Sequence, residues 1–273
     1  MPDPAIETRD LLKQFEDLTA VDRVNLEIRE GELFGILGPN GAGKSTIVKM
    51  LTTLLKPTGG SAKVWGYDII RDQDMVRAHI GVVFQDPTVD NKLTARENLD
   101  FHARMYGLNR EMREQRIRDV LRLVELEDKA DILLEKYSGG MQRRLEIARG
   151  LMHNPNILFL DEPTLGLDAQ TRRRIWDYVK EMNRKDHVTI VLTTHYMEEA
   201  DFLCDRVAII DHGRIVVCES PDVLKDQIRS EEIPDPSLED VFLHFTGREI
   251  RDEDVDLRYH SRRIMRHWRM KRR

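Results

Sequence analysis

Long apolar runs are missing from this 273-residue sequence. No stretch approaches the roughly 18 consecutive apolar residues that cross a bilayer, and the start, MPDPAIETRD, has neither the basic nor the apolar region of a secretory signal. A membrane-spanning or exported chain is set aside, and the expected location is the cytoplasmic side. Cysteine is scarce too: Cys204 and Cys218 have no C-x-x-C spacing, which argues against a disulfide framework and a zinc site and leaves two reduced thiols. A basic body is the third absence. The formal net charge is −6, and only the last stretch, RYHSRRIMRHWRMKRR from Arg258 onward, is dense in Lys and Arg without an acidic residue. Phosphate affinity rests on clustered Lys and Arg, so a body of the opposite sign predicts no nucleic-acid partner.

What remains is a charge-rich folded chain, 40% hydrophobic and 34% charged, with the length of one large domain or two small ones. Short apolar runs alternate with helix-like stretches, which predicts an α/β protein with a largely parallel sheet, since strands covered on both faces read as continuous apolar segments. The clearest are LFGIL from Leu33, ILFL from Ile157 and TIVLTT from Thr189, each followed at once by polar residues and then a helix. Ligands in such sheets sit at the carboxyl ends of the strands. Between the first two strands lies a mostly helical insert, about 90–150. There Thr94 and Glu97 form a capping-box pattern opening a helix to about Met105, and Ile117, Val120, Leu121 and Val124 share one face of the next. Asp211-His212-Gly213 suits a hairpin and Ser220-Pro221 a helix start. From Ser230 an acidic, proline-containing linker leads to an apolar patch at Leu238, Val241, Phe242, Leu243 and Phe245 that is expected to dock back as a small helix.

Chemistry enters at Gly38-Pro39-Asn40-Gly41-Ala42-Gly43-Lys44-Ser45-Thr46, the G-x-x-x-x-G-K-[ST] phosphate loop in its required context of strand, loop and helix. Its glycines let backbone N–H groups face a polyphosphate, and the following helix adds its positive end. Lys44 can reach the β- and γ-phosphates, and the Ser45 hydroxyl suits Mg²⁺. ILFL-Asp161-Glu162 supplies the partner element: Asp161 to bind Mg²⁺ through a water, Glu162 to orient or deprotonate the attacking water. An Asp-Glu pair after a strand is by itself an ordinary helix-start charge; the phosphate loop is what promotes it.

Tyr137-Ser138-Gly139-Gly140-Met141-Gln142-Arg143, roughly twenty residues before the Asp161 strand, resembles the signature motif of ATP-binding cassette (ABC) ATPases. Ser138, Gly139 and Gly140 at a helix N-terminus form an anion-binding end. The resemblance extends over about 5–220 and implies further roles. Gln85 matches the loop glutamine that contacts Mg²⁺ and the lytic water, Asp168 the loop that crosses the dimer interface, and His195 the switch histidine at the γ-phosphate. The other histidines singled out, His79, His102, His153, His187, His212 and His244, read as structural. Phe15 stands where an aromatic stacks on adenine, with core packing as its alternative, and Phe keeps the π-face that Tyr commonly provides there. Met141 stands where many members carry Gln, leaving no amide to offer.

The resemblance implies a P-loop NTPase of the ABC ATPase type: an α/β fold with a mostly parallel sheet core, an antiparallel β subdomain and the helical insert, in an ATPase domain over 1–229 followed by a C-terminal extension over 230–273. It further implies ATP and Mg²⁺, a homodimer with head-to-tail sites, and a separate multispan membrane permease, the chain lying peripherally on the cytoplasmic face. Val83-Phe84-Gln85-Asp86-Pro87, Leu93 to Leu99 and Leu238 to Arg248 are most similar to the ATPase subunits of daunorubicin-type exporters, implying export of drug or lipid-like cargo. A soluble mechanochemical ABC ATPase acting on nucleic acid or ribosomes is the competing reading; one cassette and a short insert favour the transporter subunit. For the basic tail two readings stay open: a solvated end, or a short helix with Ile264, Met265 and Trp268 contacting anionic lipid.

Overall fold

The computed structural model describes residues 4–247 apart from Pro87 and Glu232, so the basic tail from Arg258 lies outside the described residues. In chain order, strands β1 (Ile6–Phe15), β2 (Leu18–Ile28) and β3 (Leu33–Leu37) lead into helix α1 (Lys44–Leu51). Strands β4 (Gly59–Val64) and β5 (Tyr67–Asp68), helix α2 (Gln73–His79) and strand β6 (Ile80–Val83) follow. Helices α3 (Ala95–Met105), α4 (Arg110–Leu123) and α5 (Gly139–Gly150) make the helical insert. Then come β7 (Ile157–Asp161), α6 (Ala169–Asp186), β8 (Thr189–Thr194), α7 (Met197–Leu203), the hairpin β9 (Arg206–Asp211) and β10 (Arg214–Glu219), α8 (Pro221–Ile228) and α9 (Leu238–Thr246).

Six strands form one sheet in the order β10-β9-β3-β8-β7-β6, parallel except for β10, and four form an antiparallel sheet in the order β2-β1-β4-β5. The three apolar runs of the sequence are the three central strands. Each is buried along its whole length because both faces of the sheet are covered. Alternation along each strand sorts the side chains: Phe34, Ile36, Phe159 and Val191 join a core shared with α1 and the antiparallel sheet. Leu33, Leu37, Leu158, Leu160, Ile190 and Leu192 join a larger core shared with the helices.

The helical insert forms as its caps predict. Thr94 accepts from the Glu97 N–H while the Glu97 carboxylate accepts from the Thr94 N–H, and Asn109 and Ser138 cap α4 and α5. Ile117, Val120 and Leu121 face inward on α4, with Val124 buried just past its end. His212 and Gly213 both take positive φ, 46° and 76°, the geometry of a tight hairpin turn between β9 and β10. Cys204 is buried and Cys218 half-buried, both as free thiols.

Helix α9 carries a complete capping box, Ser237 with Asp240, and ends at Gly247 in the left-handed conformation. Its Leu238, Val241 and Phe242 sit in the larger core, with Leu243 and Phe245 half-buried beside them. Phe242 is 1% exposed. Phe242→Ala is therefore expected to lower stability by about 3–5 kcal/mol in urea unfolding; a loss below about 1 kcal/mol would mean that α9 is undocked in solution.

Candidate functional site

The carboxyl ends of β3, β7, β8 and β6 meet at one edge of the parallel sheet, and each delivers a polar segment there: the phosphate loop, Asp161-Glu162, Thr194-His195 and Phe84-Gln85. They border a cavity of about 840 Å³ lined by Lys44, Ser45, Gln85, Glu162 and His195, with Phe15 at its rim. Phe15 is 43% exposed, which removes the core reading of that residue; the Lys13 ammonium stands 4.8 Å from its ring centre. A flat, accessible aromatic face beside a phosphate loop can stack a base.

Within the loop, Gly43 adopts φ 107°, and a Cβ there would stand 2.4 Å from the Ala20 carbonyl oxygen, so only glycine fits where α1 begins. Asn40, Gly41, Gly43 and Thr46 line the cavity, while Gly38 and Pro39 supply carbonyls that accept from the Lys44 ammonium at 2.8 and 3.1 Å. Ala42 is buried behind the loop. Lys44 itself is 4% exposed and lies 3.3 Å from Glu162 Oε1. Burial pushes its ammonium below the ordinary lysine value, with Glu162 and Asp161 opposing the shift.

Glu162 holds φ 48°, a left-handed conformation that a side chain of this kind adopts at a cost, and its N–H donates to the Thr193 carbonyl and hydroxyl oxygens, both at 3.1 Å. His195 Nδ1 lies 3.2 Å from Glu162 Oε2 without hydrogen-bond alignment. Burial raises the Glu162 carboxyl pKa, but His195 and Lys44 outweigh it and hold the group below its ordinary value. Asp161, beneath the cavity, accepts from Ser45 Oγ at 3.0 Å and Thr193 Oγ1 at 2.5 Å through the same oxygen. Serine hydroxyl, aspartate carboxylate and glutamine amide at one place make an all-oxygen donor set, which fits Mg²⁺ bound jointly with phosphates.

Ser138, Gly139, Gly140 and Asp168 do not line this cavity. Ser138 and Gly139 are exposed at the start of α5, where the Ser138 hydroxyl accepts from the Met141 N–H at 3.3 Å. Asp168 is exposed as the cap of α6, and its carboxyl is held low by hydrogen bonds from Thr171. A Cβ on Gly140 would stand 2.4 Å from Thr171 Cγ2, so this glycine lets α5 and α6 approach. Met141 packs partly buried against the larger core, a physical reason for an apolar residue there.

The other histidines lie away from the cavity. His79 packs against Trp65 and Tyr67, His153 stacks on Tyr106 at 3.8 Å, and burial brings the His102 pKa down to about 4. Two residues of the site's surroundings, Thr193 and Glu199, belong to no motif, and Arg143, the last residue of the signature segment, carried no role of its own. Arg143 is buried at α5 and donates to the carbonyls of Asp161, Glu162 and Pro163. Glu199 is buried at α7 and accepts from Thr164 Oγ1 and Trp176 Nε1, which joins α7 to α6 and to the loop after Glu162.

Residues 21–165 match the ABC transporter family. The daunorubicin/doxorubicin resistance ATP-binding protein of Streptomyces peucetius is 44% identical over 84% of this chain and 69% of its own length. The Nod factor export ATP-binding protein I of Sinorhizobium fredii is 44% identical over 82% of the chain and 65% of its own length. Among solved structures, an ATP-binding cassette dimer in a post-hydrolysis state with ADP and phosphate superposes with a TM-score of 0.70 at 33% identity, over 79% of this chain and 98% of that one.

The depressed carboxyl of Glu162 has a measurable sign. A folded value below the unfolded 4.5 adds stability that is present above the unfolded value and lost as pH falls through the folded one. Urea unfolding of the native chain and Glu162→Gln should therefore differ more at about pH 7 than at about pH 3.5. A difference independent of pH contradicts the coupling of Glu162 to Lys44 and His195.

Proposed function

The chain belongs to the ABC transporter family and is an ATPase, and from that premise we propose that two copies bind two ATP molecules head to tail and drive export through a separate multispan membrane subunit. Each nucleotide lies between the Lys44 loop of one copy and Ser138, Gly139 and Gly140 of the other, with Asp168 at the seam. One observation carries this reading: the anion-binding start of α5 is exposed, yet stands outside the cavity that Lys44 lines. A single copy thus presents both halves of a phosphate site in different places, and a second copy joins them. The related cassette with ADP and phosphate is itself a dimer.

In this site the phosphate loop and Lys44 hold the β- and γ-phosphates and Phe15 stacks on the adenine. Ser45, Gln85 and Asp161, the last through a water, are the groups that would hold Mg²⁺, whose charge offsets that of the transferring phosphoryl group. The Glu162 carboxylate takes a proton from water as the water oxygen attacks the γ-phosphorus, and the bond from that phosphorus to the bridging oxygen of ADP breaks. Polyphosphate at Lys44 competes for the ammonium that now pairs with Glu162 at 3.3 Å, freeing the carboxylate from a cation that lowers its basicity. His195, which lines the same cavity beside that carboxylate, contacts the γ-phosphate in this reading.

No helix among the described residues is long and apolar enough to cross a membrane. In this reading the membrane passage belongs to another chain, for which the surface around Gln85 and residues 86–100 is the proposed contact, closure of the dimer being passed to that chain there. Phe101 and Met105, 63% and 71% exposed on α3, extend this surface with apolar area. The relatives are named for daunorubicin resistance and Nod factor export, which supports export of a drug or lipid-like cargo; the chain lies in this reading peripherally on the cytoplasmic face. Neither relative acts by name on nucleic acid or ribosomes.

Two substitutions test the assignment. Glu162→Gln should abolish nearly all turnover while giving an ATP-stabilised dimer by light scattering; hydrolysis at the native rate would remove Glu162 as the base. Lys44→Ala should lose ATP binding itself in a nucleotide titration, and unchanged affinity would remove the loop assignment.

A further inference from the structure

Arg143 has five N–H donors, and each finds an acceptor. Nε donates to the Pro163 carbonyl at 2.8 Å, and Nη2 to the carbonyls of Asp161 at 3.0 Å and Glu162 at 3.2 Å. Nη1 donates to the Phe84 carbonyl at 2.6 Å and to Glu146 Oε2 at 2.9 Å. The second oxygen of Glu146 accepts from the Thr88 N–H at 2.8 Å. Both side chains are buried, Arg143 at 7% exposure and Glu146 at 3%. Arg149, six residues along the helix from Arg143, donates to the Thr88 carbonyl at 3.0 Å and contacts its hydroxyl.

We propose that Arg143 and Glu146 form a positioning brace that sets the Glu162 carboxylate for water activation and links it mechanically to the glutamine loop and to the signature end of α5. This rests on the reading of Glu162 as the base. In an extended strand successive carbonyls point to opposite sides. The left-handed φ of 48° at Glu162 breaks that alternation, and the carbonyls of residues 161, 162 and 163 converge on one planar guanidinium. The brace thereby holds a strained backbone at the residue that must be placed best. The same guanidinium grips Phe84, next to Gln85, and its counter-ion grips Thr88, three residues beyond Gln85. Because both groups stand on α5, whose start at Ser138 and Gly139 is exposed, a shift of that end against a second copy displaces the glutamine loop and Glu162 together. The anchors on both sides are backbone atoms, so the brace depends little on neighbouring side-chain identity. Lysine cannot replace the arginine, since an ammonium is a point donor without a planar fork.

The test uses the full chain with Mg²⁺ and ATP. Arg143→Lys keeps the charge and loses the fork, and should lower kcat by about 10- to 100-fold, the scale of a slightly misplaced catalytic group, with KM for ATP and nucleotide affinity changed by less than about threefold, because Lys44 and its loop are untouched. In single-turnover measurements, adding Arg143→Lys to Glu162→Gln should cause no further loss, since the brace acts through a carboxylate already removed. Glu146→Gln, which leaves the guanidinium in place, should lower kcat in the same manner to a smaller degree and covers the case in which Arg143→Lys does not fold by circular dichroism. A native kcat in both variants overturns the proposal, as does a loss that multiplies in the Glu162→Gln background. If Glu162→Gln alone turns over normally, the reading of Glu162 fails instead.

Discussion

Lys44 and Glu162 lie 3.3 Å apart with little of either side chain exposed, and this buried pair constrains everything around it. Two charges removed from water cost several kcal/mol each before their attraction and their other hydrogen bonds offset the loss. The surroundings meet that requirement from several directions. Lys44 donates to two loop carbonyls, and Glu162 faces His195 as well as Lys44. Asp161 is pinned by Ser45 and Thr193, so the two acidic residues divide their partners between the phosphate loop and β8. Lys44 and Ser45 follow β3 while Thr193 and His195 stand at the end of β8, so the pair exists only if the strand register is correct.

The order β10-β9-β3-β8-β7-β6 sets β3 and β7 on either side of β8, which places Lys44 after one outer neighbour, Glu162 at the end of the other, and Thr193 and His195 between them. The sheet is covered by the antiparallel layer on one face and by the helices on the other. Burial on both faces explains why the edge that carries polar groups is confined to the strand ends. Helix α5 then reaches that edge from the side through Arg143, joining a surface fit for a second copy to the segment that carries Glu162.

Much of this was legible because the interactions are local. The central strands are continuous apolar runs, the phosphate loop is one unbroken string of residues, and the capping box at Thr94 needs residues three apart. Less local elements gave less. Strands β1 and β2 alternate between buried and exposed residues and are interrupted by bulges near Leu11 and Lys13, with left-handed Asp10 and Arg23, so no clean period marks them and only the family resemblance indicated an antiparallel subdomain. Arg143 carries no role of its own within the signature segment and Glu146 none at all in the sequence, because the carbonyls that claim the arginine lie 18 to 59 positions away.

The available chemistry is written in short stretches of chain: a phosphate loop after a buried strand, a carboxylate pair after another, a serine-glycine-glycine helix start, and a C-terminal apolar segment able to dock. These are set by propensity, patterning and the conformational freedom of glycine, all of which act within a few residues. Which groups meet is fixed by long-range packing. It put Gln85, Glu162 and His195 on one cavity with Lys44, left Ser138 to Gly140 and Asp168 outside it, and turned Arg143 inward. The physical reason is that side chains distant in sequence are brought within hydrogen-bond reach by strand register and helix packing, and no local preference of the chain encodes that distance.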